Sequence, residues 1–247
     1  MKINKTEIKY FVITIFFVTL ALAFDDKMQE FVLSNWLTNF LVVLIFVTIA
    51  VLVHYVGHRL MARRYKVEVE HSIWQMSHFY FTNFFSTRLK KSVPIGIILS
   101  IFISLGSFGQ MFFIAIESFN FKENKRRRVG FRYANLTEYE VALISAAGPL
   151  ANLFFVLLIK LINLPYLNNL IFINLYYSIF HMIPFSELDG SKALFSSPLI
   201  YVFSLSLILI SLLLLYFYSL TITVILSLLI AIIFTTTFFI VVYGDSL

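Results

Sequence analysis

The sequence contains no cysteine. That excludes disulfides and thiolate zinc sites, so any metal ion must be held by histidine, aspartate or glutamate. Charge is scarce as well: 13% of the 247 residues are charged, against 60% hydrophobic. An ordinary soluble domain has about 25% charged and about 45–50% apolar residues. A chain this apolar cannot keep a globular surface wet, and it is too hydrophobic to stay disordered. Glycine and proline number only 8 and 5, so each marks a specific break. What the chain has in excess is long uncharged runs. At about 20 residues per crossing they provide roughly six spans. The expectation is an all-α polytopic membrane protein, one membrane domain over 1–247, with the lipid bilayer as its first partner.

The runs lie near 10–24, 36–57, 93–119, 139–159, 170–185 and 199–244. The last is too long for one crossing and divides near 218–221. The first follows Lys2, Lys5 and Lys9 and ends Ala21-Leu22-Ala23, a pattern shared with cleavable signal peptides. It is read here as an uncleaved span, which puts the N-terminal spans within 8–50 and the two C-terminal ones within 199–244.

The net charge of +6 follows from basic residues gathering in cytoplasmic loops, and nucleic acid is not expected as a partner. Arg59, Arg63, Arg64, Lys66, Arg88, Lys90 and Lys91 follow the second run and place that loop inside. A second basic cluster, Lys122, Lys125, Arg126, Arg127, Arg128 and Arg132, would lie outside if 93–119 crossed. The conflict vanishes if this segment enters and returns on one side, turning at Gly106, Ser107 and Gly109. We therefore expect a re-entrant hairpin near 93–119, a helix and then a strand near 110–118. Backbone of that kind at membrane depth is covered by protein or lines a wet cavity. Both termini are then cytoplasmic.

Two of five histidines, His54 and His58, stand four apart at the inner end of the second run. Residues at i and i+4 share a helix face, so both imidazoles can reach one metal ion, or simply reach the headgroups or a carbonyl. Asp189, in Pro184-Phe185-Ser186-Glu187-Leu188-Asp189-Gly190, falls at the same cytoplasmic depth. It either caps a helix start or completes a set of two imidazoles and a carboxylate, which is a catalytic zinc set with a fourth position for water. Ala147-Gly148-Pro149-Leu150-Ala151-Asn152 breaks or kinks a span. Its Asn152 can bond the freed backbone or a substrate.

In combination, HxxxH, AGPxxN and PxxxLDG, in this order over about 51–192, resemble the site-2 protease family of intramembrane zinc metalloproteases. The resemblance implies Zn2+ on His54, His58 and Asp189 near the cytoplasmic face of the cell membrane. It implies cleavage of transmembrane segments of membrane-protein substrates, received by strand addition on a membrane-inserted strand, here 110–118. Two positions depart from the family. Its HExxH glutamate, the general base, is Tyr55 here, and tyrosine near neutral pH is a proton donor. Its asparagine eight residues before the LDG aspartate is His181, which can hold substrate, serve as a surrogate base or become a fourth ligand. Glu187 is read as a solvated carboxylate, and His71 and His78 as surface histidines around a short strand at 67–74. Three functions follow: a protease with weakened or rerouted proton transfer, a non-catalytic zinc-binding relative that holds transmembrane segments, and a divalent-metal transporter.

Overall fold

The computed structural model describes residues 4–24, 31–80, 86–122, 128–129, 132–133, 136–162 and 164–244. The chain is mostly helical and forms two compact units, 1–48 with 70–120 and 49–69 with 121–247. Helix α2 (Leu33–Arg64) runs through both.

The first unit holds α1 (Lys5–Leu22), most of strand β1 (Glu68–Ile73), the hairpin β2 (Met76–Tyr80) and β3 (Ser86–Val93), α3 (Ile95–Gly106), and the start of β4 (Glu117–Lys122). β1 appears where the alternation at 67–74 predicts it and pairs with β4. Helix α3 has 12 residues, about 18 Å of rise, too little for a bilayer of about 30 Å. The chain then reverses at Phe108 and Gly109, both at positive φ (52° and 81°). It comes back to its starting level, because a Cβ on Gly96 would lie within 3.0 Å of the Ile116 backbone. The segment 93–119 is thus a helix followed by a returning strand. The ladder starts later than the expected 110–118, since only from Glu117 onward does the returning chain meet an edge, that of β1. The tip of the hairpin exposes Phe102 and Phe108, 76% and 84% accessible; apolar surface of that kind needs a non-aqueous or protein partner.

One expectation fails in this unit. His71 is not a surface histidine. It is buried, stacked on Phe11 with ring centroids 4.0 Å apart, and its Nδ1 lies 3.0 Å from a Glu117 carboxylate oxygen. Its backbone N–H donates to Glu7 Oε1 at 3.2 Å. α1 supplies Glu7 and Phe11 and β4 supplies Glu117. Alternation along β1 alone does not reveal which of its faces such partners cover. The His78 side chain lies outside the described residues, as do Lys125, Arg126 and Arg127 of the second basic cluster.

The second unit holds α2 from Ile49, α4 (Glu138–Ile162), α5 (Asn168–His181), α6 (Asp189–Ser196), α7 (Pro198–Phe217) and α8 (Leu220–Tyr243), with the short ladder β5 (Arg128–Val129) and β6 (Arg132–Tyr133). A reciprocal cap starts α4: Thr137 Oγ1 accepts from the Glu140 N–H at 3.3 Å, and Glu140 Oε2 accepts from the Thr137 N–H at 2.9 Å. α4 packs on α5, α6 and α7, and α7 on α8. The buried residues of α8 are Thr223, Ser227 and Ala231, a small-residue stripe that lets helices approach closely. The break between α7 and α8 falls at Tyr218 and Ser219, within the expected 218–221. Helix α5 ends at His181, earlier than the expected 185, because Pro184 turns the preceding residue away from helix. Among the described residues four helices, α2, α4, α7 and α8, are long and apolar enough to cross a membrane.

Candidate metal centre

Helix periodicity places His54 and His58 one above the other on α2, and both are buried. Asp189 is the first residue of α6, where a carboxylate also suits the positive end of the helix. The loop before it fits only because residue 190 is glycine: a Cβ there would overlap the Met182 carbonyl. From that position Asp189 Oδ2 reaches 2.8 Å from His54 Nε2 and 3.2 Å from His58 Nε2. The two Nε2 atoms are 3.0 Å apart. The three residues predicted as ligands therefore converge, and their buried group can hold a metal ion.

The triangle has the dimensions of one face of a coordination tetrahedron. Bonds of 2.0–2.1 Å at tetrahedral angles separate ligand atoms by about 3.3–3.4 Å. Sides of 2.8 to 3.2 Å tighten that face slightly. Proton placement agrees. His58 Nδ1 lies 2.7 Å from the Ile144 carbonyl oxygen, which can only accept, so Nδ1 carries the hydrogen. In the neutral ring Nε2 then presents a lone pair, the form a metal requires. A lone pair and a carboxylate facing each other at 3.2 Å repel unless a cation or a proton lies between them.

The other predicted residues surround this triangle in different ways. His181 is buried, its ring centroid 4.7 Å from that of His54. Its Nδ1 donates to the Tyr177 carbonyl at 2.8 Å, which makes Nε2 the basic nitrogen of the neutral ring. Asn152 is buried and its Nδ2 donates to the Ala50 carbonyl at 3.2 Å, tying α4 to α2 one turn before His54. Tyr55 is buried, with the Arg59 guanidinium 4.8 Å from its ring centroid. Glu187 is exposed.

Three contributors escaped sequence reasoning. Gly148 is required because a Cβ there would overlap the His58 ring. Ile144 supplies the carbonyl that fixes the His58 tautomer. Tyr177, fully buried, sets its ring perpendicular to His54 at 5.2 Å. The signal for the first two was the spacing Ile144-x-x-x-Gly148, one face of α4 turned to the histidines. Pro149 in the next position removes one helical donor, and its own carbonyl accepts from Ser178 Oγ of α5 at 3.0 Å. No protein-family model, curated protein or solved structure matches this chain.

Proposed function

We propose that the chain is an intramembrane zinc metalloprotease-like protein of the site-2 protease kind, with its proton transfer weakened or rerouted. The observation that carries this reading is the buried triangle of two imidazole nitrogens and one carboxylate oxygen with 2.8 to 3.2 Å sides. In this reading His54, His58 and Asp189 hold Zn2+ near the cytoplasmic face, six spans are made by α1, α2, α4, α5, α7 and α8, and the 93–119 segment is a re-entrant hairpin. This donor set favours zinc over magnesium or calcium, which take six or more oxygens. When bound, zinc lowers the pKa of its water to about 7 and polarises a carbonyl.

The chain's own groups then divide the work. Ile144 keeps the His58 tautomer, and Asn152 holds α2 in place. His181, with its proton on Nδ1, presents Nε2 as the acceptor for a proton from water and can return it to the leaving amine. Tyr55, a proton donor near neutral pH, does not take the base's role. Loss of general acid–base catalysis is worth about 100- to 10,000-fold, so cleavage is slow at best. The Tyr55 position, with Arg59 stacked over it, also supports the second reading, a non-catalytic relative that binds zinc and holds transmembrane segments.

The test compares purified wild type and Tyr55→Glu on a pool of transmembrane peptides, read by mass spectrometry with and without a chelator. Chelator-sensitive cutting by wild type supports the protease. Cutting by Tyr55→Glu alone selects the non-catalytic relative. Zinc flux into liposomes with no cutting by either would replace both with transport.

A further inference from the structure

Within the second unit, α2, α4 and α7 enclose a cavity of about 650 Å³ on the face of α2 that carries Gly57. Its size lies in the usual ligand range of about 300–1,000 Å³. At its deeper end Gly57 of α2 packs directly on Ala147 and Ala151 of α4, where a Cβ on Gly57 would lie 2.5 Å from the Ala147 carbonyl oxygen, so the small residues close the cavity there. The wall is apolar except for two residues. Arg64 stands at the end of α2, exposed, and makes no hydrogen bond or ion pair among the described residues. Ser204 lies deeper, 1% exposed, and its hydroxyl has no hydrogen-bond partner among the described residues. The mouth beside Arg64 is also where α7 begins. Pro198 is its first residue, and the first amide to bond back is Tyr201, to Ser197. Leu199 and Ile200 line that mouth, and as the first-turn residues of α7 their amides have no helical acceptor.

The three helices agree in depth. Arg64, Leu143 and Leu199 line one end of the cavity, and Gly57, Ala151 and Ser204 the other. The span from residue 64 to 57 is about 10 Å. One end therefore offers a guanidinium and two free amides at a helix N-terminus, which suits a phosphate. The body offers hydrocarbon.

We propose that this cavity seats an anionic phospholipid, with its phosphate on Arg64 and the first turn of α7 and one acyl chain along Leu60, Met61, Leu143, Leu150 and Phe203. Charge complementarity selects the anionic headgroup over a zwitterionic one. The inference rests on the cavity alone and holds whether or not the metal centre is catalytic. Gly57 lies between His54 and His58 on the same helix, so the lipid borders the back of the segment that carries both ligands.

The full chain is purified in mild detergent and titrated with dioleoyl phosphatidylglycerol and, separately, dioleoyl phosphatidylcholine, with bound lipid counted by native mass spectrometry. Phosphatidylglycerol is expected to bind several-fold tighter. Arg64→Gln should weaken it about fivefold, the loss of one basic residue at a headgroup. Leu143→Trp, which fills the cavity, should remove both lipids. Arg63→Gln, next in sequence but outside the cavity lining, should change nothing. Equal binding of the two lipids overturns the proposal, and so does an Arg63→Gln loss equal to that of Arg64→Gln, because either marks a general surface charge effect. A mass of two chains that excludes lipid assigns the cavity to a second copy and also overturns it. If Leu143→Trp loses its helical circular dichroism, photoactivatable phosphatidylglycerol on wild type decides: adducts on α2 and α7 around 60–64 and 199–204 support the site, and adducts confined elsewhere overturn it.

Discussion

Gly148 is where a single absent methyl sets the geometry of the metal centre. A Cβ would overlap the His58 ring, and the ring cannot retreat without losing its bond to the Ile144 carbonyl. If the group holds zinc as proposed, Gly148→Ala should lower its affinity by roughly tenfold or more, the effect of disturbing a ligand's supporting contacts. Chelator competition on the purified chain measures it. Gly106→Ala is the matched control, since a Cβ there meets nothing within 4 Å, and it should leave metal content unchanged. His71 makes the opposite prediction. It is buried against Glu117, and removing one partner of a buried pair costs about 3–5 kcal/mol. His71→Ala should destabilise the first unit, seen as faster hydrogen exchange in α1, β1 and β4, while zinc stays bound in the second. Zinc loss in His71→Ala with unchanged exchange would contradict this division.

At the scale of elements, the helices owe their placement to polar ties between apolar surfaces. The bond from Asn152 to the Ala50 carbonyl joins α4 to α2 one turn before His54. Bonds of this kind inside membranes average about 0.6 kcal/mol, so Asn152→Ala should lower the unfolding midpoint slightly and retain zinc. If the chain cleaves as proposed, a large loss of cleavage with no change in the midpoint would instead put Asn152 on the substrate. The site elements were legible in sequence to different degrees, for physical reasons. The histidine pair was legible because the helical repeat alone aligns i and i+4. Asp189 was legible because membrane depth constrains a loop almost as tightly as contact does. The burial of His71 was not, since its partners come from Glu7 and Glu117, on separate elements whose docking no local pattern encodes. The strand at Glu117–Lys122 was displaced from expectation for the same reason: its start is set by the edge of β1, not by its own alternation.

For the whole molecule, the contact between α2 and α4 bears on topology. His58 lies six residues before the end of α2, and Ile144 lies six after the start of α4; the two are joined at 2.7 Å. The end of one helix and the start of the next are thus at the same level. In the proposed topology, where 93–119 is a re-entrant hairpin, the chain between them leaves and returns on one side of the membrane. The absence of cysteine makes the chain a ready background for labelling. In sealed vesicles of known orientation, single cysteines at Asn124 and Ser246 should react only with reagent on the cytoplasmic side, and one at Glu30 only from outside. Labelling at Asn124 from outside would require an odd number of crossings between α2 and α4. That arrangement is incompatible with a shared metal centre, because it separates the helix ends that His58, Ile144 and Asp189 hold together.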